Sequence, residues 1–198
     1  MFKFILEIIG TVAFAVSGAF VGIQKKMDIL GVATLGVITA VGGGIIRDVL
    51  IGITPPNAFR DPLYILIAIG VSLVVFLPFI RKNINLDRFV WIFVDSLGLG
   101  AFTMIGVSTG VSFDNLFLEV FLGVVTGVGG GVIRDVCAGE IPMIFVRHFY
   151  VCPCIIGSVI CALLYDYNHD LAIAVGFAII FVLRLLAAKF KWHLPKAK

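Results

Sequence analysis

The sequence predicts an all-α integral membrane protein with seven transmembrane helices: two inverted three-helix repeats plus a seventh helix. Three observations lead there. The 198 residues are 61% hydrophobic and 14% charged, with a mean hydropathy of +1.14, whereas a soluble domain carries about a quarter charged residues. Seven apolar stretches, each near the ~20 residues that cross a ~30 Å hydrocarbon core, fill almost the whole chain. The pattern Gly-Gly-Gly-x-Ile-Arg-Asp-Val occurs twice within them, from Gly42 to Val49 and from Gly129 to Val136.

The first span covers 4–23 and stops at the polar Gln24-Lys25-Lys26. The second, 28–53, carries the first motif and is closed by Pro55-Pro56, which cannot continue a helix. The third, 62–80, starts at Asp61-Pro62 and ends at Arg81-Lys82-Asn83. The fourth is 89–109, and the fifth, 115–140, holds the second motif. The sixth, 145–165, runs into Asp166-Tyr167-Asn168-His169-Asp170, and the seventh, 170–188, leads into a basic tail. Short polar connections leave little chain for a water-soluble catalytic domain. The chain 1–198 therefore reads as one transmembrane domain, with repeat one at 4–80, repeat two at 89–165 and an extra helix at 170–188. Apolar segments simply continue from the first, which speaks against a cleaved signal peptide.

Basic residues set the direction. One side would hold Lys25, Lys26, Arg81, Lys82, Arg88, Arg147, Lys189, Lys191, Lys196 and Lys198, and the other only Lys3 and Arg60. This asymmetry puts the N-terminus outside and the C-terminus in the cytoplasm of a prokaryotic inner (plasma) membrane. The net charge of +3 is thus a topology signal, touching anionic lipid headgroups at Lys25-Lys26 and Lys189, and not a nucleic-acid surface.

The duplication extends past the glycines. At an offset of 87, Leu35-Gly36-Val37 matches Leu122-Gly123-Val124, Thr39 matches Thr126, and Gly52, Pro55, Arg60 and Gly70 match Gly139, Pro142, Arg147 and Gly157. At an offset of 88, Glu7, Gly10, Ala13-Phe14 and Gly18 match Asp95, Gly98, Ala101-Phe102 and Gly106. Three spans per copy is an odd number, so the second copy enters from the opposite side. Such repeats put their shared site near the midplane, often on broken helices.

Gly42, Gly43 and Gly44, with Gly129, Gly130 and Gly131, are accordingly expected to break or kink the second and fifth helices. Freed carbonyls there would line a wet passage and attract a cation. Close helix packing is the alternative use of such small residues. Arg47, Asp48, Arg134 and Asp135 add charge at a depth where it is costly. Neighbouring residues on a helix do not face one another, so the expected partners are Glu7 for Arg47 and Asp95 for Arg134. These pairs serve either as pathway or gating charges or as ion pairs that fix the bundle. Thr11, Ser17, Thr39, Ser96, Thr103 and Thr126 offer a polar lining or bond their own helix. Phe14 and Phe102, at equivalent repeat positions, form a candidate hydrophobic gate.

Cys137, Cys152, Cys154 and Cys161 read as small apolar helix residues, and His148, His169 and His193 as interfacial ones, so no metal or cofactor site is expected. An enzyme is disfavoured because no nucleophile-base or metal-ligand constellation is present.

Gly-Gly-Gly-x-x-Arg-Asp in the second and fifth spans of a seven-span chain of this length resembles prokaryotic members of the trimeric intracellular cation channel family, TRIC. The resemblance covers nearly the whole chain. It implies a homotrimer with one pore inside each protomer, conducting potassium and, less selectively, sodium through broken second and fifth helices. Arg-Asp stands in both copies here, so the lipid regulation and calcium-store physiology of the animal branch are not carried over. The same bacterial domain bears a glycine-transporter label, so a small-molecule carrier using the repeat for alternating access is the second hypothesis. A membrane scaffold without transport is the third.

Overall fold

The structure is a computed structural model that describes residues 1–79, 88–146 and 149–192, with the side chain of Arg88 excepted. The basic residues Arg81, Lys82, Arg147, Lys196 and Lys198, and His148 and His193, lie outside the described residues. Among those described, the regular structure is helical: α1 (Phe2–Gln24), α2 (Ile29–Leu50), α3 (Asn57–Arg60), α4 (Leu63–Phe76), α5 (Arg88–Gly110), α6 (Leu116–Cys137), α7 (Met143–Val146), α8 (Cys152–Leu164) and α9 (His169–Phe190), with a 3-10 turn at Val111–Phe113.

Five of these, α1, α2, α5 with the turn that follows it, α6 and α9, are long and apolar enough to cross a membrane. The third and sixth spans differ from expectation. Helix α4 has 14 residues and α8 has 13, about 20 Å at ~1.5 Å per residue and short of a full hydrocarbon core. Leu77 breaks α4 at an extended ψ of 134° immediately before Pro78, where proline disfavours helix in its predecessor. Pro153 sits in the first turn of α8, the position proline tolerates best, and 149–151 do not extend that helix.

Side-chain caps fix three helix starts. Asp28, Asn115 and Asn168 accept the amide protons of Gly31, Leu118 and Leu171 at 2.7, 3.1 and 3.0 Å. The ends of α2 and α6 also match. Gly52 and Gly139 follow them with φ of +76° and +70°, values that favour glycine.

Helices α1, α2, α5 and α6 form the centre, with α4 against α1 and α2, α8 against α6, and α9 against α5 and α8. Small residues let these helices approach. A β-carbon on Gly18 would lie 2.6 Å from the carbonyl oxygen of Leu35, and one on Gly106 would lie 2.4 Å from that of Leu122. The core between them is lined by Phe14, Leu99, Met104 and Leu122, all nearly inaccessible.

The glycine triplets do not break their helices. Helix α2 is continuous from Ile29 to Leu50 through Gly42–Gly44, and α6 from Leu116 to Cys137 through Gly129–Gly131. The expectation of unwound backbone with freed carbonyls is therefore corrected. The reason is the crossing of α2 and α6: a β-carbon on Gly43 would lie 2.1 Å from the carbonyl oxygen of Thr126, and one on Gly130 the same distance from that of Thr39. Contact between the two backbones, made where neither carries a side chain, repays the helical cost of glycine.

Candidate functional site

Two charged clusters flank this crossing, each built on the last turns of α2 or α6. In the first, Arg47 does not reach Glu7. Its Nε and Nη2 both donate to Oδ1 of the adjacent Asp48, at 2.9 and 2.7 Å. This corrects the expected pairing. Successive Cβ atoms diverge on a helix, but the long arginine stem bends back and brings its guanidinium to the neighbouring carboxylate. Asp48 Oδ2 accepts the Asn57 amide proton at 2.8 Å, tying the arginine to the first residue of α3. Glu7 instead accepts the hydroxyl proton of Tyr64, from α4.

In the second cluster, Arg134 Nη1 donates to Asp95 Oδ1 and to the Ser17 hydroxyl, each at 2.7 Å. Its Nε donates to Asp135 Oδ1 at 2.9 Å, and Nη2 lies 2.8 Å from the same oxygen. Asp135 Oδ2 takes the Met143 amide proton at 3.0 Å, as Asp48 takes that of Asn57. Asp95 Oδ2 accepts the Tyr150 hydroxyl proton at 3.0 Å, and the arginine lies 5.1 Å from the centre of the Trp91 ring. Among the described residues, the structure thus joins Arg134 to both Asp95 and Asp135, and Arg47 to Asp48.

Burial separates the clusters. Arg134 is wholly inaccessible, while Arg47 keeps 8% of its surface and faces a cavity of about 300 Å3 lined by Glu7, Thr11, Asp48, Arg60, Tyr64 and Phe102 among others. A second cavity, of about 510 Å3, is lined by Gln24, Lys25, Trp91, Asp135, Glu140 and Met143 among others. The first opens beside the N-terminal half of α1 and the second beside its last turn. Lys25 and Glu140 form an ion pair on the wall of the second.

Phe14 and Phe102 meet between the cavities, with ring centres 5.3 Å apart. Phe14 fills the space left by Gly98, and Phe102 that left by Gly10. Of the expected polar lining, Thr39, Ser96, Thr103 and Thr126 donate to carbonyls of their own helices at 2.6–2.7 Å. Thr11 lines the first cavity and Ser17 joins the second cluster. The four cysteines are unpaired thiols, and His169 stacks on Tyr165 with ring centres 4.5 Å apart.

Sequence reasoning missed Tyr64 and Tyr150. They are equivalent at an offset of 86, one short of the motif's 87, and each holds the carboxylate that begins its half, Glu7 or Asp95. A search that allowed single-residue slips would have found them. It also gave no role to Arg184, which lies 4.4 Å from the centre of the Tyr150 ring.

The family described as "Glycine transporter" matches residues 4–79 and 92–166, leaving α9 outside both segments. The inner membrane protein YadS of Escherichia coli is 37% identical over 98% of this chain and 94% of its own length. Among solved structures, a TRIC cation channel studied for its conductance is 42% identical with a TM-score of 0.87, covering 98% of this chain and 96% of that one. A TRIC orthologue from Rhodobacter sphaeroides is 31% identical with a TM-score of 0.89, covering 96% and 98%. These relatives are named as an inner membrane protein and as TRIC cation channels. The chain is a multi-pass membrane protein that belongs to the prokaryotic TRIC family, to which the "Glycine transporter" description also refers.

Proposed function

We propose that the protein is a channel for monovalent cations, potassium and less selectively sodium, with a pathway inside each protomer of a homotrimer. The observation that carries this reading is the pair of charged cavities at opposite ends of α1, separated by the Phe14–Phe102 contact and the Gly43–Gly130 crossing. Each presents a carboxylate of an Arg-Asp motif, Asp48 or Asp135. A cation entering either cavity meets acidic oxygens whose charge is balanced by arginine, so occupancy is weak enough for passage.

In this reading seven segments cross the membrane, the short α4 and α8 being accommodated by local thinning of the bilayer or by oligomer contacts. The halves 4–80 and 89–165 are inverted copies. The Glu7 cavity opens outward and the Lys25 cavity opens to the cytoplasm. Continuous helices replace the broken ones as its frame: glycines let α2 and α6 touch, and the constriction lies where they do. The trimer rests on the relatives, whose name describes them as trimeric.

Reconstituted protein in a planar bilayer under a potassium chloride gradient tests the proposal. Reversal near the potassium equilibrium potential supports it, and reversal at the chloride value overturns it. Two cavities closed off from one another also suit alternating access, the geometry of a carrier. Saturable glycine flux into liposomes without channel current would establish that second reading.

A further inference from the structure

We propose that α9, the helix outside the duplicated segments, sets the barrier at the second cluster, with Arg184 acting as a positioning residue through Tyr150. The inference rests on the conduction reading above. Arg184 is a buried cation in the C-terminal third of the apolar helix α9, 4% exposed, and a charge buried within a membrane span is retained for a purpose. Its guanidinium carbon sits 4.4 Å from the centre of the Tyr150 ring, within the range of a cation–π contact. Tyr150 is 2% exposed and donates its hydroxyl proton to Asp95 Oδ2 at 3.0 Å. The other oxygen of Asp95 holds Arg134 at 2.7 Å. The order Arg184, Tyr150, Asp95, Arg134 is thus a continuous chain of contacts from α9 to the motif.

Arg134 stands at the closed end of the cytoplasmic cavity, since Trp91 and Asp135, both in contact with it, line that cavity. A cation over a phenol face draws electron density from the ring and strengthens its hydroxyl as a donor. With Oδ2 engaged by that hydroxyl, Asp95 is held with Oδ1 toward Arg134. The first cluster shows the arrangement when the arginine is not captured: Tyr64 bonds Glu7, yet Arg47 stays on Asp48 and borders an open cavity. Loosening Tyr150 frees Asp95 to turn and Arg134 to swing from its closed position, so the open state gains population.

Single-channel recording and Trp91 fluorescence together test this. The chain has two tryptophans, so Trp192→Phe leaves Trp91 as a reporter beside Arg134. Arg184→Gln and Tyr150→Phe are each expected to raise open probability about tenfold at unchanged unitary conductance, and to raise acrylamide quenching of Trp91. The double variant should equal either single one, because both cut the same chain, and Arg184→Lys should restore the original behaviour. Additive effects, or wild-type open probability and quenching in Arg184→Gln, would overturn the proposal. Should Arg184→Gln fail to fold, Tyr150→Phe, which keeps the ring and nearly all the volume, carries the same expectation alone. If the unsubstituted protein passes no current, the conduction reading fails, and the quenching series still decides whether Arg184 positions Arg134.

Discussion

The carbonyl oxygen of Thr126 lies 2.1 Å from where a β-carbon on Gly43 would stand. Thr126 belongs to α6 and Gly43 to α2, so the contact joins the two motif helices backbone to backbone. Its counterpart, Thr39 against Gly130, has the same distance. A carbonyl inside a helix cannot retreat as the tip of a flexible side chain can.

The three glycines of the first motif should therefore respond differently to alanine. Gly43→Ala forces α2 and α6 apart and is expected to cost about 1–3 kcal/mol, the usual penalty for overpacking. Among the described residues, a β-carbon on Gly44 would meet the Arg47 side chain alone, at 3.8 Å, so Gly44→Ala should be neutral or slightly stabilising through its better helix propensity. Thermal unfolding in detergent separates the two. Equal effects at both positions would show that unwinding, not contact, is what the glycines supply.

The arginines should also differ. Arg134→Ala removes a fully buried cation from two carboxylates and a hydroxyl. Leaving Asp95 and Asp135 buried without it is expected to cost ~3–5 kcal/mol. Among the described residues Arg47 pairs with one carboxylate, Asp48, beside an open cavity, where water replaces part of what is lost, so Arg47→Ala should cost only about 1–3 kcal/mol. Unfolding midpoints of the two variants check the order, and a larger loss for Arg47 would contradict it.

The long helices were legible because hydropathy alone marks them: α1, α2, α5, α6 and α9 follow the apolar runs within a few residues. The pairing of Arg134 with Asp95 was legible from depth, since both lie near the same end of antiparallel spans. The pairing of Arg47 was not. The rule that adjacent residues diverge describes Cβ directions, and a guanidinium at the end of a long stem escapes it. The glycine triplets were misread for another reason. A sequence shows where side chains are missing but not which backbone occupies the gap, and Thr126 is remote from Gly43 in the chain. Tyr64 and Tyr150 were hidden by a one-residue slip in the repeat.

Orientation supplies a third prediction. Asn57 and Lys26 are both exposed, at the far and near ends of α2. On a cysteine-free background, Asn57→Cys should react with an impermeant thiol reagent added to intact cells, and Lys26→Cys only after the membrane is opened. The basis is the excess of lysine and arginine on the Lys26 side. The opposite pattern would invert the topology, and labelling of both from one side would mean that α2 does not cross.

The last prediction concerns charge in the pathway. Oδ1 of Asp48 receives both contacts from Arg47, and its Oδ2 holds the start of α3. Asp48→Asn keeps the size of the side chain and an oxygen for the Asn57 amide, but leaves the arginine charge uncompensated beside the cavity. A unit charge about 8 Å from an ion acts with roughly 2 kcal/mol at an effective dielectric of 20. Salt screening reduces that, so cation preference over chloride is expected to fall by about tenfold. Asp135→Asn should do the same from the other cavity, less strongly, because Arg134 retains Asp95. Reversal potentials in a potassium chloride gradient measure both, and each should move toward zero, Asp48→Asn further. An unchanged reversal potential in both variants would remove the motif carboxylates from the conduction path.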